Sequence, residues 1–417
     1  MRIAIVGGGA AGLMCAATLA ESGIEAEIFL LEKNPELGKK VLISGGGRCN
    51  VTTGLTEVRQ LLLRYPRGNK FLQKAMYHFP PLAVRDWFEG HGVPLKVEPD
   101  LRVFPVSDDG ADVVGVFKRL FSLAKVRILL GHQVVSLQKK GEMFVLALKD
   151  KPALEVDRVV LTTGGQAYRQ TGSTGDGYAF AEQLGHTITP LAPSLSAFIV
   201  AESWPKTLAG VSVKKATLHC GDKAFTGPFL FTHKGITGPA VFALSALIAF
   251  EPCTPQQTLK MTINLFPDRR PDEFVKEIHS QAQLHGKKSL INVMATLLPR
   301  SIAEVCLNEN HINADQHAAD LSKEQAQNMV HWLQQVPLTA LSRVAGDEFV
   351  TAGGVDTKDV DPKTMESILV PGLYFAGEIL DIDGFTGGFN LQASWATGKL
   401  AGEAIVTAVT QANSQVP

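Results

Sequence analysis

Cysteine is scarce in this 417-residue chain: five residues, at positions 15, 49, 220, 253 and 306, with no C-x-x-C pair. An odd, scattered set argues against a disulfide scaffold or a structural zinc site and fits a reducing cytoplasm. The 11 histidines show no H-x-x-x-H or similar spacing, so no metal site is indicated. No apolar run reaches the ~20 residues that a membrane-spanning helix needs. The opening strand meets glycine after five residues, unlike a secretory leader. Excess charge is missing as well. Forty basic residues against 41 acidic leave a formal charge of −1, which offers no footprint for nucleic acid or a membrane surface. The expectation is therefore a cytoplasmic protein with a small-molecule substrate and neither a nucleic-acid nor a membrane partner. No repeat or low-complexity segment is present, and nothing in the sequence sets an oligomeric state.

What is present is concentrated at the N-terminus. Arg2-Ile3-Ala4-Ile5-Val6 is a short branched run of the kind that makes a buried parallel strand. It breaks into Gly7-Gly8-Gly9-Ala10-Ala11-Gly12, which fits G-x-G-x-x-G with Gly7, Gly9 and Gly12 in the glycine places. These allow, in turn, a tight turn, close approach of backbone to a pyrophosphate, and close packing of helix on strand. The Ala-rich helical stretch that follows, Leu13 to Ser22, would present free N–H groups and a positive dipole end to phosphate. A second strand ends on Glu32, placed to accept hydrogen bonds from an adenosine ribose. This end reads as a dinucleotide site.

Further along, Lys33 to Lys40 is a polar turn, and Ser44-Gly45-Gly46-Gly47-Arg48-Cys49-Asn50 is a glycine loop suited to close approach to a ligand. Residues 55–92 read as mainly helical, and 97–106 as strands around a turn at Pro99-Asp100. Val126 to Leu137, which contains Val134, and Glu142 to Leu148 alternate like paired strands. Glu155 to Leu161 reads as one strand, opening into Thr163-Gly164-Gly165. From about 195 the character changes to short β-like runs, and from Pro271 to about Leu341 it is helical in tone. Phe349 begins the return to the frame. Gly377-Glu378 ends a late strand, and Asp383 to Gln392 is a second glycine-rich loop, with Gly387, Gly388, Asn390 and Leu391, feeding an Ala-rich C-terminal helix over Ala393 to about Val409.

These features together resemble an FAD-binding frame of the glutathione-reductase-like type. Four longer stretches, Lys39 to Asn50, Gly172 to Gly177, Thr232 to Ala240 and Asp383 to Gln392, are similar to signatures of a bacterial family of NAD(P)/FAD-dependent oxidoreductases that includes aminoacetone oxidase and 3-dehydro-bile-acid reductase. The resemblance implies an α/β fold: an FAD-binding Rossmann domain split by an inserted small β-barrel and a helical domain. The expected boundaries are 1–194 and 343–417 for the frame, 195–270 for the barrel and 271–342 for the helical part. It also implies that Gly7, Gly9, Ala10, Ala11, Gly12, Glu32, Lys33, Lys40, Ser44, Gly45, Gly46, Arg48, Cys49, Asn50, Val134, Thr163, Gly164, Gly165, Gly377, Glu378, Asp383, Gly387, Gly388, Asn390 and Leu391 line the FAD site. No second strand–G-x-G-x-x-G–helix unit occurs, so NADH or NADPH enters the expectation only as a transient reductant.

Flavin would carry the reaction, a hydride passing between its N5 and a small amine, enone or ketone bound between frame and insert. His233 is a candidate acid or base and Lys234 a candidate to polarise a carbonyl or steady reduced flavin, with a solvated turn or domain contact as the alternative for both. Cys49 is a candidate near the flavin, or a small residue packed under a loop. Arg48 holds flavin or an anionic substrate, or else anchors its loop. The rival class is a non-catalytic FAD-bound redox sensor or accessory factor.

Overall fold

The computed structural model describes residues 1–124, 126–344, 346 and 348–414. They form two compact units: the chain up to Ser194 together with the chain from Glu348 onward, and an insert from Leu195 to residue 347.

The first unit is built on a five-stranded parallel sheet. Its order is Leu373–Phe375, Arg158–Leu161, Arg2–Val6, Glu27–Glu32 and Val126–Leu130. The strands read as continuous apolar runs because both faces are covered, and Ile3, Ile5, Leu30, Val160 and Phe375 are wholly buried. The helix Ala10–Glu21 follows the first strand, and the helix Phe389–Ser414 closes the chain. These two cross at close range through glycine. A Cβ on Gly398 would lie 2.3 Å from the Ala11 carbonyl oxygen, and one on Gly402 would lie 2.8 Å from Thr18 Cβ. Cys15 is buried in this contact region, which accounts for it as packing.

Two strand assignments from the sequence change here. The alternating stretch 126–137 is two strands in different sheets. Val126–Leu130 joins the parallel sheet beside Glu27–Glu32, whereas Val134–Lys140 starts an antiparallel meander with Met143–Leu148 and Lys151–Val156. Likewise 155–161 is divided between that meander and the sheet, at Asp157. Alternation sets which face is apolar; it carries no mark of a strand changing partners.

The second unit contains a closed barrel. Its strands run in the order Phe198–Val200, Gly235–Thr237, Lys223–Phe231, Ser212–Cys220, Leu259–Asn264 and Val336–Arg343. The last of these lies in the stretch read as helical to Leu341. The helices Pro271–Leu284, Leu290–Met294, Arg300–Glu309 and Lys323–Gln334 precede it, and the chain then returns to close the barrel. Phe274, Ile278, Met294, Ile302 and Met329 share one core with Phe229, Phe231 and Ile263, so helices and barrel bury a common apolar interior. Ser322 and Gln325 form a capping box that starts the last of these helices. No helix among the described residues is long and apolar enough to cross a membrane.

Candidate cofactor and active site

Three loops at the ends of the parallel strands converge. The first is the glycine turn after Arg2–Val6. Gly7 has φ of 112°, and a Cβ there would sit 2.5 Å from the Thr162 carbonyl oxygen, so only glycine lets the turn lie against the neighbouring strand end. A Cβ on Gly12 would be 2.0 Å from the Gly7 carbonyl oxygen, which ties the helix onto the turn. At Gly9 the same construction meets no atom within 4 Å. Gly9 is the N-cap of the Ala10–Glu21 helix and no side chain caps it, leaving the first-turn N–H groups and the dipole free for an anion.

Glu32 is buried and fixed. Its Oε2 accepts from Gly8 N–H at 2.8 Å, and its Oε1 accepts from the backbone N–H and side-chain Nδ2 of Asn34, at 2.8 and 2.7 Å. Glu32 is thereby locked to the glycine turn. Val134 is buried four residues beyond Leu130, the register partner of Glu32. Lys33 donates to Thr174 Oγ1 and Asp176 Oδ2, at 2.6 and 2.7 Å, tying the Gly172 to Gly177 stretch to the same corner.

The second and third loops meet at Glu378. Its Oε2 accepts from Lys40 Nζ at 2.7 Å and its Oε1 from Thr351 N–H at 2.9 Å. A Cβ on Gly165 would be 3.0 Å from Glu378 Oε1, and one on Gly377 would be 2.8 Å from Ala11 Cβ. Residues far apart in sequence, Ala11, Lys40, Gly165, Gly377 and Glu378, are thus brought together. Thr163 adds a buried hydroxyl with no partner, and Gly164 packs against Ser173.

The late loop is clamped internally. Asn390 accepts from Gly384 N–H and donates to the Gly384 carbonyl, both at 2.8 Å. Gly387 lies against the Phe389 ring, and Gly388, with φ of 87°, would place a Cβ 2.2 Å from the Thr52 carbonyl oxygen. Leu391 is in the first turn of the helix that begins at Phe389.

Several candidates are turned toward protein. Asp383 is fully buried and engaged by both Arg67 nitrogens and by Ser194 Oγ, the last at 2.7 Å, so its carboxylate anchors the loop. Arg48 stacks 3.8 Å over the Phe104 ring and pairs with Glu98 and Asp108, carboxylates that push its guanidinium further up. Those contacts favour loop anchoring over capture of an anion. Ser44 Oγ donates to the Val41 carbonyl, and Asn50 Oδ1 accepts from Val103 N–H. A Cβ on Gly45 would touch Asn50 N, whereas Gly46 faces open space. Cys49 is completely buried, and burial pushes its thiol up to about 12, so at neutral pH it is a thiol, not a thiolate.

His233 and Lys234 belong to the other unit. They are exposed on the turn between Lys223–Phe231 and Gly235–Thr237. Thr232 Oγ1 accepts from the N–H groups of Lys234 and Gly235, at 3.3 and 3.0 Å, which shapes that turn.

Residues not expected from sequence also shape the frame's site. Tyr178 follows the Gly172 to Gly177 stretch directly; its hydroxyl is buried without a partner, and burial together with Glu378 and Asp381 pushes its pKa upward. Asp381 Oδ1 is likewise unpartnered and its carboxyl is raised, chiefly by burial. Each such group costs about 1–3 kcal/mol until something bonds it. A tyrosine after a glycine motif was a readable signal; the Arg67–Asp383 pairing was not. FAD, the group this fold implies, fits these residues: open space at Gly9, an uncapped helix start, a fixed acid at Glu32, and the unpartnered hydroxyls of Thr163 and Tyr178. Among the described residues there is no cluster able to hold a metal ion.

Frame and site together define the class, an FAD-binding Rossmann-fold oxidoreductase of the glutathione-reductase-like type, interrupted by a barrel-and-helix insert. The chain belongs to the HI0933-like protein Rossmann domain family, whose pattern matches residues 1–404. It is 31% identical over 408 residues to a 3-dehydro-bile acid delta(4,6)-reductase of Clostridium scindens, covering 97% of this chain and 98% of that one. It is 33% identical over 405 residues to a ribosomal RNA dihydrouridine synthase of Haemophilus influenzae, covering 94% and 95%. Among solved structures it shares its fold with the 3-ketosteroid delta1-dehydrogenase of Sterolibacterium denitrificans: TM-score 0.52, 12% identity, 97% of this chain and 99% of that one.

Proposed function

We propose that this FAD-dependent oxidoreductase adds two hydrogens across a carbon–carbon double bond conjugated to a carbonyl. One observation carries the reading. Two relatives that match almost the whole chain are named for different substrates, yet their names describe one bond change. A 3-keto steroid with double bonds at 4 and 6 is a conjugated dienone, and the C5=C6 bond of uracil is conjugated to the C4 carbonyl. Bound FAD supplies the hydride chemistry, two electrons at a time, from N5.

In this reading the uncapped start of the Ala10–Glu21 helix, with Gly7, Gly9 and Gly12, holds the pyrophosphate, and Glu32 holds the adenosine ribose. Glu378, steadied by Lys40 and Thr351, faces the ribityl side, and the first-turn N–H groups of the last helix offer positive charge to the electron-rich flavin edge. The substrate needs a donor at its carbonyl and a proton at the neighbouring carbon. Lys234 and His233 are the right chemical types for these two tasks. NADH or NADPH serves as a transient reductant, since the chain has a single dinucleotide fingerprint.

The test is anaerobic visible spectroscopy of the FAD-loaded protein. The flavin is reduced, with NADPH, NADH or dithionite, and mixed with a cyclic enone or a uridine-containing RNA. Return of the oxidised flavin band, with a saturated product, is expected. Failure of every conjugated acceptor to reoxidise the flavin, alongside bleaching of oxidised flavin by an amine, would replace the reading with an amine oxidase. His233→Ala should slow reoxidation by about 10²-fold or more without changing FAD content.

A further inference from the structure

The near-perfect balance of charge conceals one lopsided segment. Between Val58 and Arg85 the chain has six Arg and Lys and not one Asp or Glu. A solvated helical surface ordinarily mixes signs, because like charges at neighbouring positions repel and opposite ones stabilise. Here the acids have been left out over 28 residues.

The fold turns this segment outward without loosening it. Its short helices Val58–Leu62 and Gln73–His78 bury Leu61, Ala75 and Met76 completely, and Leu72, just before the second, is buried with them. Arg59, Lys70 and Lys74 lie on the exposed side, and none of the three has an ion-pair partner among the described residues. Tyr77, on the same short helix as Lys74, has 57% of its surface exposed. Free cations interleaved with an exposed aromatic ring have the chemistry to take phosphates and stack a base.

The same segment is bound to the late cofactor loop. Tyr65 OH donates to the Phe389 carbonyl at 2.7 Å, Phe385 N–H donates to the Arg64 carbonyl at 2.9 Å, and Arg67 pairs with Asp383. A Cβ on Gly68 would be 2.3 Å from Ile382 Cγ2. The segment that carries these cations is therefore tied to the loop that feeds the last helix. A polyanion held by Arg59, Lys70 and Lys74 would be held on a segment that is bonded to that loop.

We propose that Val58 to Arg85 is an RNA-binding surface that brings a uracil ring of a single strand to the reducing site; this rests on the conjugated-bond reduction proposed above and names its substrate class. The strand's phosphates meet Arg59, Lys70 and Lys74, and Tyr77 stacks a base. The addition itself is the one already described: hydride to C6, a proton to C5, and two electrons from reduced FAD.

Binding is tested apart from turnover, by fluorescence anisotropy of a labelled, uridine-containing single-stranded RNA with the FAD-loaded protein over a range of salt. The wild type should bind with a marked salt dependence. Arg59→Glu/Lys70→Glu/Lys74→Glu should lose at least about tenfold in affinity, with its salt slope shallower by about 2. Tyr77→Ala should lose roughly tenfold with the slope unchanged. Both variants should keep bound FAD and reduce a free cyclic enone as the wild type does, because none of these side chains belongs to the cofactor site. No binding by the wild type, or equal binding by the triple variant, would overturn the RNA surface and leave the reduction chemistry standing. Loss of enone reduction in the wild type would strike that chemistry alone. Equal affinity for a free anionic enone and for RNA would reassign the patch to an anionic small substrate and overturn the proposal.

Discussion

Arg67 grips the buried carboxylate of Asp383 through two guanidinium nitrogens, across 316 residues of sequence. Removing one partner leaves the other charge uncompensated. Arg67→Ala should cost about 3–5 kcal/mol in denaturant unfolding, as buried pairs do when halved. Arg67→Leu with Asp383→Asn should recover part of that loss. A cost below 1 kcal/mol for the single variant would show that water reaches Asp383.

Gly388 tests the late loop. Any side chain there meets the Thr52 carbonyl, and the backbone is in the left-handed region. Gly388→Val should purify with little or no FAD, read as the ratio of flavin to protein absorbance, while far-ultraviolet circular dichroism stays near that of the wild type. Gly46→Ala, whose Cβ points into open space, should retain more cofactor.

Glu32 tests the other end. Glu32→Ala strips acceptors from Gly8 and from both donors of Asn34. Hydrogen bonds to a charged group contribute about 1.5–3 kcal/mol, so FAD affinity should fall by tenfold or more in titration of the apoprotein. Unchanged affinity would mean that the ribose is held elsewhere.

Cys49 should behave as an inert core residue. Alkylation of the native protein followed by peptide mass analysis should leave it unmodified, and Cys49→Ala should retain flavin reduction and reoxidation. Rapid native-state labelling would show that the loop over it opens.

His186 gives a pH signature. It is buried between Ala181, whose carbonyl it contacts, and Ser367, and burial lowers its pKa below the usual 6.5. The unfolded chain takes up a proton near pH 6.5 that the folded chain refuses, so this residue makes stability fall as pH drops through that value. Asp381, raised by burial, acts in the opposite sense at lower pH: the folded carboxyl holds its proton longer, so this residue makes stability fall as pH rises through the usual carboxylate range. The difference between wild type and His186→Gln in unfolding free energy from pH 7 to 5 isolates the histidine and should shrink with acidification.

The frame was legible because its residues do local work. Gly7, Gly9 and Gly12 are spaced by the turn they make, and Glu32 by the length of one helix and one strand. The glycine-rich stretches are visible for the same reason: backbone that must touch backbone or ligand excludes side chains. What escaped depends on partners distant in sequence. Nothing in Asp383 says that Arg67 will neutralise it, and nothing in Arg48 says that Glu98 and Asp108 already hold it. Val336–Arg343 follows four helices and has no local sign that it returns to the barrel. Net charge is an average and hides local sign: the sum over the chain is near zero, while 58–85 carries only one sign.

The neck of the insert has a further consequence. The chain leaves the frame through Ala192–Ser194 and comes back through Val350–Ala352, and these segments pair antiparallel, Ser194 opposite Val350. Ser194 bonds Asp383, Thr351 N–H bonds Glu378, and Thr351 Oγ1 accepts from Gln166 N–H. Two stitched strands make a gate that a chain of any length can pass through, because closing a longer loop adds little further entropy. The host keeps its own wiring whatever is threaded there. The ties of Ser194 to Asp383 and of Thr351 to Glu378 lie wholly within the frame, so they hold whatever length of chain is looped out between the two strands.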